Sequence, residues 1–272
     1  MSTEPPGRRS VLITGAGGGL GGSTASMFAA RGWTVFGADL VPPPASADLV
    51  PIAMDVTDLD SIDQAVHLIE KHCPDGLDAV VNFAGVLDIA PLVEIPDERM
   101  CRILDINVLG TYRVNKAAFP LVQRRRGRII NISSETGWQR GVPLGGPYAM
   151  TKHAIEAYSD ALRRELMFVG VRVVVIQPGP FQTTLTQGIT DAFARAVIPG
   201  SPFAPLVRKA AAVGAQAHRR AHDPELLARV VWKAATSKHP DIRYSVRPDL
   251  QRSLLHLLPT ALADQLIYLA MR

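Results

Sequence analysis

The chain has 272 residues, 47% of them hydrophobic and 20% charged. That is enough apolar material for a full core and excludes disorder as the dominant state. Its net charge of +4 is a weak field for this length, and no basic stripe interleaves with aromatics, so no nucleic-acid partner is expected. Two cysteines, Cys73 and Cys101, lack CxxC spacing and cannot build a disulfide framework, and no HExxH pairing occurs. A metal site is therefore not expected.

Residues 1–9 are polar and Pro-rich and read as a flexible N-terminus rather than a secretory signal. No run of about 18 apolar residues is present, so the expectation is a soluble, cytoplasmic protein.

In chain order, Ser10–Thr14 (SVLIT) predicts a buried strand, 22–31 a helix and 34–38 (TVFGA) a second strand. Pro42, Pro43 and Pro44 then break the chain. Residues 52–54 predict a third strand, with Thr57 and Asp58 as candidate caps for a helix over 62–72. A fourth strand is expected over 77–83 and one long helix over 99–122. Arg124, Arg125 and Arg126 are expected at that helix's C-terminus, facing solvent. Residues 128–132 (RIINI) predict a fifth strand, 148–168 a helix and 171–176 a sixth strand. Continuous Val/Ile strands alternating with helices predict a doubly wound parallel sheet covered on both faces, a three-layer α/β Rossmann architecture in a single domain. The Ala-rich stretch 184–222 reads as a substrate lid. A further helix over 224–237, a last strand at 244–246 and an apolar tail over 250–272 complete the chain. The tail is expected to close the pocket, join a subunit contact or lie on a membrane.

The first strand runs into Thr14-Gly15-Ala16-Gly17-Gly18-Gly19-Leu20-Gly21-Gly22. Glycines let the backbone approach a pyrophosphate, and the following helix offers free N–H groups and a positive dipole end. The turn reads either as Gly17, Gly19, Gly22 or as Thr14, Gly15, Gly19, Gly21. The second is preferred because it begins at the strand end. Asp39 ends the second strand, where a carboxylate would accept from ribose hydroxyls and repel a 2′-phosphate. With no Lys or Arg in the turn or directly after Asp39, the expected cofactor is NAD. Tyr148 and Lys152, four apart, share a helix face. A neighbouring ammonium is expected to lower the phenol's pKa and make Tyr148 a general acid/base.

In order along residues 11–183, the glycine turn, Asp55-Val56, Asn82-Phe83-Ala84-Gly85, Asn107, Ser134, Tyr148-Ala-Met-Thr-Lys152 and Pro178-Gly-Pro-Phe-Gln-Thr183 resemble the short-chain dehydrogenase/reductase family. Residues 156–166 resemble its retinol and hydroxysteroid dehydrogenase branch. The resemblance implies that Tyr148 exchanges a proton with the substrate oxygen and that Ser134 hydrogen-bonds that oxygen. It implies that Lys152 holds the nicotinamide ribose and that Asn107 orients a relay water. Thr14, Gly15, Gly17, Gly18, Gly19, Leu20, Gly21, Asp39 and Leu40 would bind the cofactor. So would Asp55 and Val56 at the adenine, and Asn82, Ala84 and Gly85 in the central crevice. Ile13 would pack nearby, and Pro178, Gly179, Phe181 and Thr183 would meet the carboxamide end. It further implies a homodimer or homotetramer and a bulky lipophilic alcohol or ketone as substrate. Val86, Leu87, Trp138, Val142, Leu144, Phe181 and Leu185 are candidate apolar pocket residues. Phe83 replaces the family's second Asn and is expected under the sheet. The alternatives are an NADP-linked carbonyl reductase and a non-catalytic dinucleotide-binding sensor or scaffold.

Overall fold

The computed structural model describes residues 8–183, 189–218 and 221–272. Seven strands among these residues form one parallel sheet in the order β3-β2-β1-β4-β5-β6-β7. They are β1 (Ser10–Thr14), β2 (Thr34–Asp39), β3 (Leu49–Ala53), β4 (Ala79–Asn82), β5 (Arg128–Ile132), β6 (Arg172–Pro178) and β7 (Arg243–Val246). Pro51 sits in β3, an edge strand, where its missing N–H costs no ladder bond.

Strand periodicity divides the core in two. Val11, Ile13, Val35, Val81, Ile130 and Val174 point to one face with Phe28, Trp33, Leu227 and Val231. Leu12, Phe36, Val80, Ile129 and Val173 point to the other with Ile62, Ile69, Val114 and Leu121. The first face carries α1 (Gly19–Ala30) and α8 (Pro224–Thr236). The second carries α2 (Leu59–His72) and α4 (Thr111–Arg124). The expected three-layer architecture is therefore observed.

The long helix expected over 99–122 is interrupted. It comprises α3 (Asp97–Leu104), a π-helical turn at Asp105–Gly110, and α4. The turn contains Asn107. Such widened turns concentrate at functional sites, and they carry no sequence period of their own. α5 (Gly146–Leu166) opens with Pro147 in its first turn, two residues ahead of the expected start. α1 likewise begins at Gly19, inside the glycine turn.

Residues 1–7, most of the expected flexible N-terminus, lie outside the described residues, as do 184–188 and 219–220 of the expected lid. The rest of that stretch forms α6 (Ile189–Ala196) and α7 (Ala204–His218). These pack around Ile89, Leu144, Ala192, Ala196, Val207 and Ala210 as a satellite core. The tail forms α9 (Leu250–Leu257) and α10 (Thr260–Met271). No helix among the described residues is long and apolar enough to cross a membrane.

β1 leads outward to β2 on one side, and its other neighbour is β4. Thr14 stands opposite Asn82, and Asn82 opposite Asn131, so the carboxyl ends of three strands finish level. Parallel sheets place their ligand crevice at this switch point.

Candidate active site

A cleft of about 1130 Å³ opens at the switch point. Thr14, Gly15, Gly18, Gly19, Leu20 and Gly21 form its floor, and Asp39, Leu40, Asp55 and Val56 one end. Ala84 and Gly85 lie midway, and Ser134, Tyr148, Lys152, Pro178, Gly179, Phe181 and Thr183 close the other end. The preferred reading of the glycine turn explains its geometry. Gly15 has φ +71°, and a Cβ there would stand 2.7 Å from Ala84 N. A Cβ on Gly19 would stand 3.2 Å from Thr183 Cα, filling the narrow waist of the cleft. Gly18 is the N-cap of α1 and has no side chain to satisfy the helix's first N–H groups. These donors and the glycine waist fit an elongated ligand with a central diphosphate, which is the shape of a nicotinamide dinucleotide.

Gly17, expected on the wall, is instead behind it. Its N–H donates to Asp39 Oδ2 at 2.9 Å, and Val41 N–H donates to Oδ1 at 3.3 Å. Gly17 thereby aims the Asp39 carboxylate along the cleft edge. Asn82 also departs from its expected place. It is buried below the cleft, where Nδ2 donates to Asn115 Oδ1 (2.7 Å) and Asn131 Oδ1 (2.9 Å). Ile13 is fully buried in the sheet core rather than at the wall. Phe83, expected under the sheet, packs on that core and also lines the cleft.

Asn107 is tied into the backbone around it. Its Oδ1 accepts from Val86 N (2.8 Å), and its Nδ2 donates to Val86 O (2.9 Å) and Thr151 Oγ1 (3.1 Å). Both amide hydrogens are used, so the side chain fastens the π-helical turn to the Val86 loop and α5.

The reacting end is largely buried, with Tyr148 partly open to the cleft. Lys152 is 7% exposed, and its Nζ donates to Ile132 O at 2.9 Å. Burial lowers its pKa to about 8, with Glu156 acting in the opposite direction. Burial raises the Tyr148 hydroxyl to about 12, hydrogen bonding with Ser134 pulls it down, and the Glu135 charge pushes it up. The expected lowering by Lys152 is not found: the lowering that opposes desolvation comes from Ser134. The ammonium lies 5.4 Å from the phenol ring centroid and is held by a carbonyl. Ser134 Oγ accepts from Thr136 N at 3.2 Å, so a short 3-10 turn, Glu135–Gly137, carries the hydroxyl.

The sequence reading missed Glu98, Cys101, Arg102, Asp105 and Leu109 on the cleft wall, all brought there by α3 and the π-helical turn. Among the candidate apolar residues, Val86 and Phe181 line the main cleft. Val142 and Leu144 line a second cavity of about 250 Å³ with Pro91, Leu92, Phe203 and Leu206. Leu87 packs on the satellite core, and the Trp138 ring stands against His256. Leu185 lies outside the described residues. Among the described residues, no group of three metal-ligating side chains occurs.

Proton-carrying groups at one end and a glycine-lined waist along the floor equip this cleft for redox chemistry at an alcohol or ketone carbon. Comparison with known proteins agrees. The human retinol dehydrogenase 16 is 33% identical over 282 residues, spanning 95% of this chain and 87% of that protein. The NADPH-dependent 3-dehydrocapnine reductase of Ornithobacterium rhinotracheale is 31% identical, spanning 96% of both. A short-chain dehydrogenase structure from Streptomyces avermitilis superposes with a TM-score of 0.75 at 21% identity, covering 97% of this chain and 94% of that one. The family described as short chain dehydrogenase matches residues 9–193. The chain belongs to that family and is an oxidoreductase of its retinol and hydroxysteroid dehydrogenase-like members.

Proposed function

We propose that this enzyme uses NAD to interconvert a bulky lipophilic alcohol and the corresponding carbonyl compound. The observation that carries the cofactor choice is the Asp39 carboxylate at the cleft edge, already oriented by two backbone N–H groups. It would accept from ribose hydroxyls and repel a 2′-phosphate. The substrate class is supported by the second cavity, whose lining of Pro91, Leu92, Val142, Leu144, Phe203 and Leu206 offers no charge.

The nicotinamide ring, when bound, supplies the hydride acceptor or donor. The chain's own groups do the rest. Tyr148 moves the hydroxyl proton. Ser134 hydrogen-bonds the substrate oxygen and holds it as charge develops. Lys152, with its depressed pKa, hands protons onward or steadies the phenolate. Gly15, Gly18, Gly19 and Gly21 line the diphosphate seat, and Phe181 and Thr183 fix the carboxamide end. The burial of Lys152 and Ser134 strengthens their electrostatic contacts.

The second reading is an NADP-linked carbonyl reductase. Arg102 on the cleft wall favours it, since a guanidinium matches phosphate geometry, and one relative is named for NADPH. The ratio of kcat/KM for NAD and NADP, measured over a panel of hydroxysteroids, retinoids and simple secondary alcohols, separates them. A ratio of one or below overturns the NAD assignment. The outward leucines of α9, Leu250, Leu254 and Leu257, support a subunit or lipid contact for the tail rather than a role in the cleft wall.

A further inference from the structure

The loop that carries Ser134 is clamped to α9, the first helix of the tail, by charges at both ends of that helix. Glu135 is only 7% exposed. Its Oε2 accepts from Asp249 N at 2.6 Å and its Oε1 from Arg252 Nη1 at 3.1 Å. Asp249 is the N-cap of α9, its Oδ1 accepting from Arg252 N at 3.0 Å. At the other end of the same loop, Arg140 donates to His256 O (3.3 Å), Leu258 O (2.6 Å) and Thr260 Oγ1 (2.7 Å). A carboxylate thus meets the positive end of α9 and a guanidinium the negative end. Between them Gln139 Nε2 donates to Ser253 Oγ at 3.0 Å.

The seating is polar because the helix is turned the other way out. Leu250, Leu254 and Leu257 are exposed, at 75%, 65% and 78%. Of the leucines of α9 only Leu255 is half-buried, beside the His256 ring on Trp138, so Glu135, Gln139 and Arg140 make the specific contacts that seat the helix.

We propose that Glu135 is a positioning residue: its contacts with Asp249 and Arg252 dock the 135–140 loop on α9, and this docking fixes the Ser134 hydroxyl against Tyr148. The link is short. Glu135 follows Ser134 by one peptide bond, and its carbonyl accepts from Gln139 N (3.0 Å) and Trp138 N (3.4 Å). Ser134 Oγ is itself held by Thr136 N in the same turn. The charged and titratable groups facing this unit are Arg252, Asp249 and His256 from the α9 side, Arg140 from the loop itself, and Tyr148 and Lys152 from α5. Burial lifts the Glu135 carboxyl, Arg252 opposes that, and the Glu135 charge lifts Tyr148.

The proposal rests on reading Ser134 and Tyr148 as the reacting pair, and the test separates the two claims. Glu135→Gln, Arg252→Gln and Arg252→Lys are assayed as NAD-loaded enzyme with a hydroxysteroid probe, beside Tyr148→Phe. NADH affinity is followed by nicotinamide fluorescence, and amide exchange by mass spectrometry over residues 133–140. Glu135→Gln and Arg252→Gln should each lower kcat at least tenfold with NADH affinity within twofold of wild type. Arg252→Lys should recover part of the loss. Exchange in the loop should rise at least tenfold in both Gln variants, a readout that needs no turnover. The rising limb of the kcat–pH profile should move to lower pH in Glu135→Gln, which loses a charge beside Tyr148. In Arg252→Gln, where that charge is uncompensated, it should move to higher pH. A merely structural contact would lower melting temperature alone, with kcat, pH profile and loop exchange as in wild type, and that result overturns the proposal. Should Glu135→Gln not fold, the two Arg252 variants carry the same test. Full turnover by Tyr148→Phe would overturn the reading of the reacting pair instead.

Discussion

Asn107 and Val86 close a hydrogen-bonded ring: Val86 N–H donates to Asn107 Oδ1 at 2.8 Å, and Asn107 Nδ2 donates back to Val86 O at 2.9 Å. One carboxamide thereby pairs the donor and the acceptor of a backbone unit that lines the cleft, and its remaining hydrogen reaches Thr151. Thr151 directly precedes Lys152, so the ring ties the π-helical turn to the helix bearing the reacting lysine. Asn107→Ala leaves two part-buried backbone groups of Val86 without their partner, where a fully buried group would cost about 1–3 kcal/mol each. We expect an overall loss of about 2–4 kcal/mol in urea unfolding, together with a fall in kcat as the Val86 loop loosens. A variant as stable as wild type would show that the ring is dispensable.

The proton carrier can be isolated from dinucleotide binding. Tyr148→Phe removes one hydroxyl and keeps the ring that lines the cleft. Positioned proton transfer contributes typically about 10²–10⁴-fold, so kcat should fall by that order while NADH fluorescence titration changes little. Lys152→Ala should impair both measurements, since it removes an ammonium from the reacting end and leaves Ile132 O without its donor.

Burial of Lys152 makes a stability prediction whose sign can be worked out. Its folded pKa is about 8 against 10.5 for the free side chain. Between these values the unfolded chain binds more protons, so this group's contribution to stability rises with pH from about 8 to about 10.5. Below pH 8 its burial costs about 3 kcal/mol by order of magnitude. Lys152→Met should therefore be more stable than wild type at pH 7, and the advantage should shrink by pH 10. Tyr148 acts oppositely at higher pH: with its folded pKa raised to about 12, its contribution falls from about pH 10 upward. Urea unfolding at pH 7 and pH 9.5 checks the lysine effect before the tyrosine enters. A constant difference between the two proteins would refute it.

Much of the fold was legible because its signals are local. Ser10–Thr14 and Arg128–Ile132 are short β-branched runs buried on both faces, which is the pattern of central parallel strands. Tyr148 and Lys152 were found by a four-residue spacing that any helix converts into proximity. What was missed depends on long-range geometry. The carboxamides of Asn82, Asn115 and Asn131 meet only after β4, α4 and β5 pack, so Asn82 was assigned to the crevice it underlies. The π-helical turn adds a residue to one helical turn, and its sequence, DINVLG, carries no mark that separates it from the helices around it. Together α3 and that slip bring Arg102, Asp105 and Leu109 to the cleft wall. Glu135 and Arg252 are 117 positions apart, and nothing in either neighbourhood announces the other.

The leucines of α9 provide a surface prediction. Leu254→Glu with Leu257→Glu changes two exposed side chains on the face pointing away from the Glu135 clamp. Exposed substitutions outside special contacts usually shift stability by less than about 0.5 kcal/mol each. Melting should therefore be nearly unchanged, while oligomer size by light scattering or flotation with anionic liposomes should drop. If neither association readout moves, the face has no partner and the leucines are simply exposed.

Cofactor choice can be tested by a change that preserves shape. Asp39 Oδ2 accepts from Gly17 N and Oδ1 from Val41 N, so Asp39→Ala would loosen the glycine turn as well as remove a charge. Asp39→Asn keeps one acceptor and nearly the same volume, and its amide nitrogen can donate to a phosphate oxygen. With the carboxylate, ribose hydroxyls gain charge-assisted hydrogen bonds worth about 1.5–3 kcal/mol each. A 2′-phosphate instead meets a like charge. Removing that charge should weaken NAD by about tenfold and relieve the repulsion toward NADP, since each 1.4 kcal/mol is about a factor of ten. The NAD-to-NADP ratio of kcat/KM should fall by about ten- to a hundredfold in Asp39→Asn. Adding Leu40→Arg should carry it further toward NADP, because the guanidinium matches phosphate geometry beside a residue already on the cleft wall. A ratio that Asp39→Asn leaves unchanged would mean that the carboxylate serves only Gly17 and Val41, and that another group, with Arg102 the first to examine, decides which dinucleotide enters.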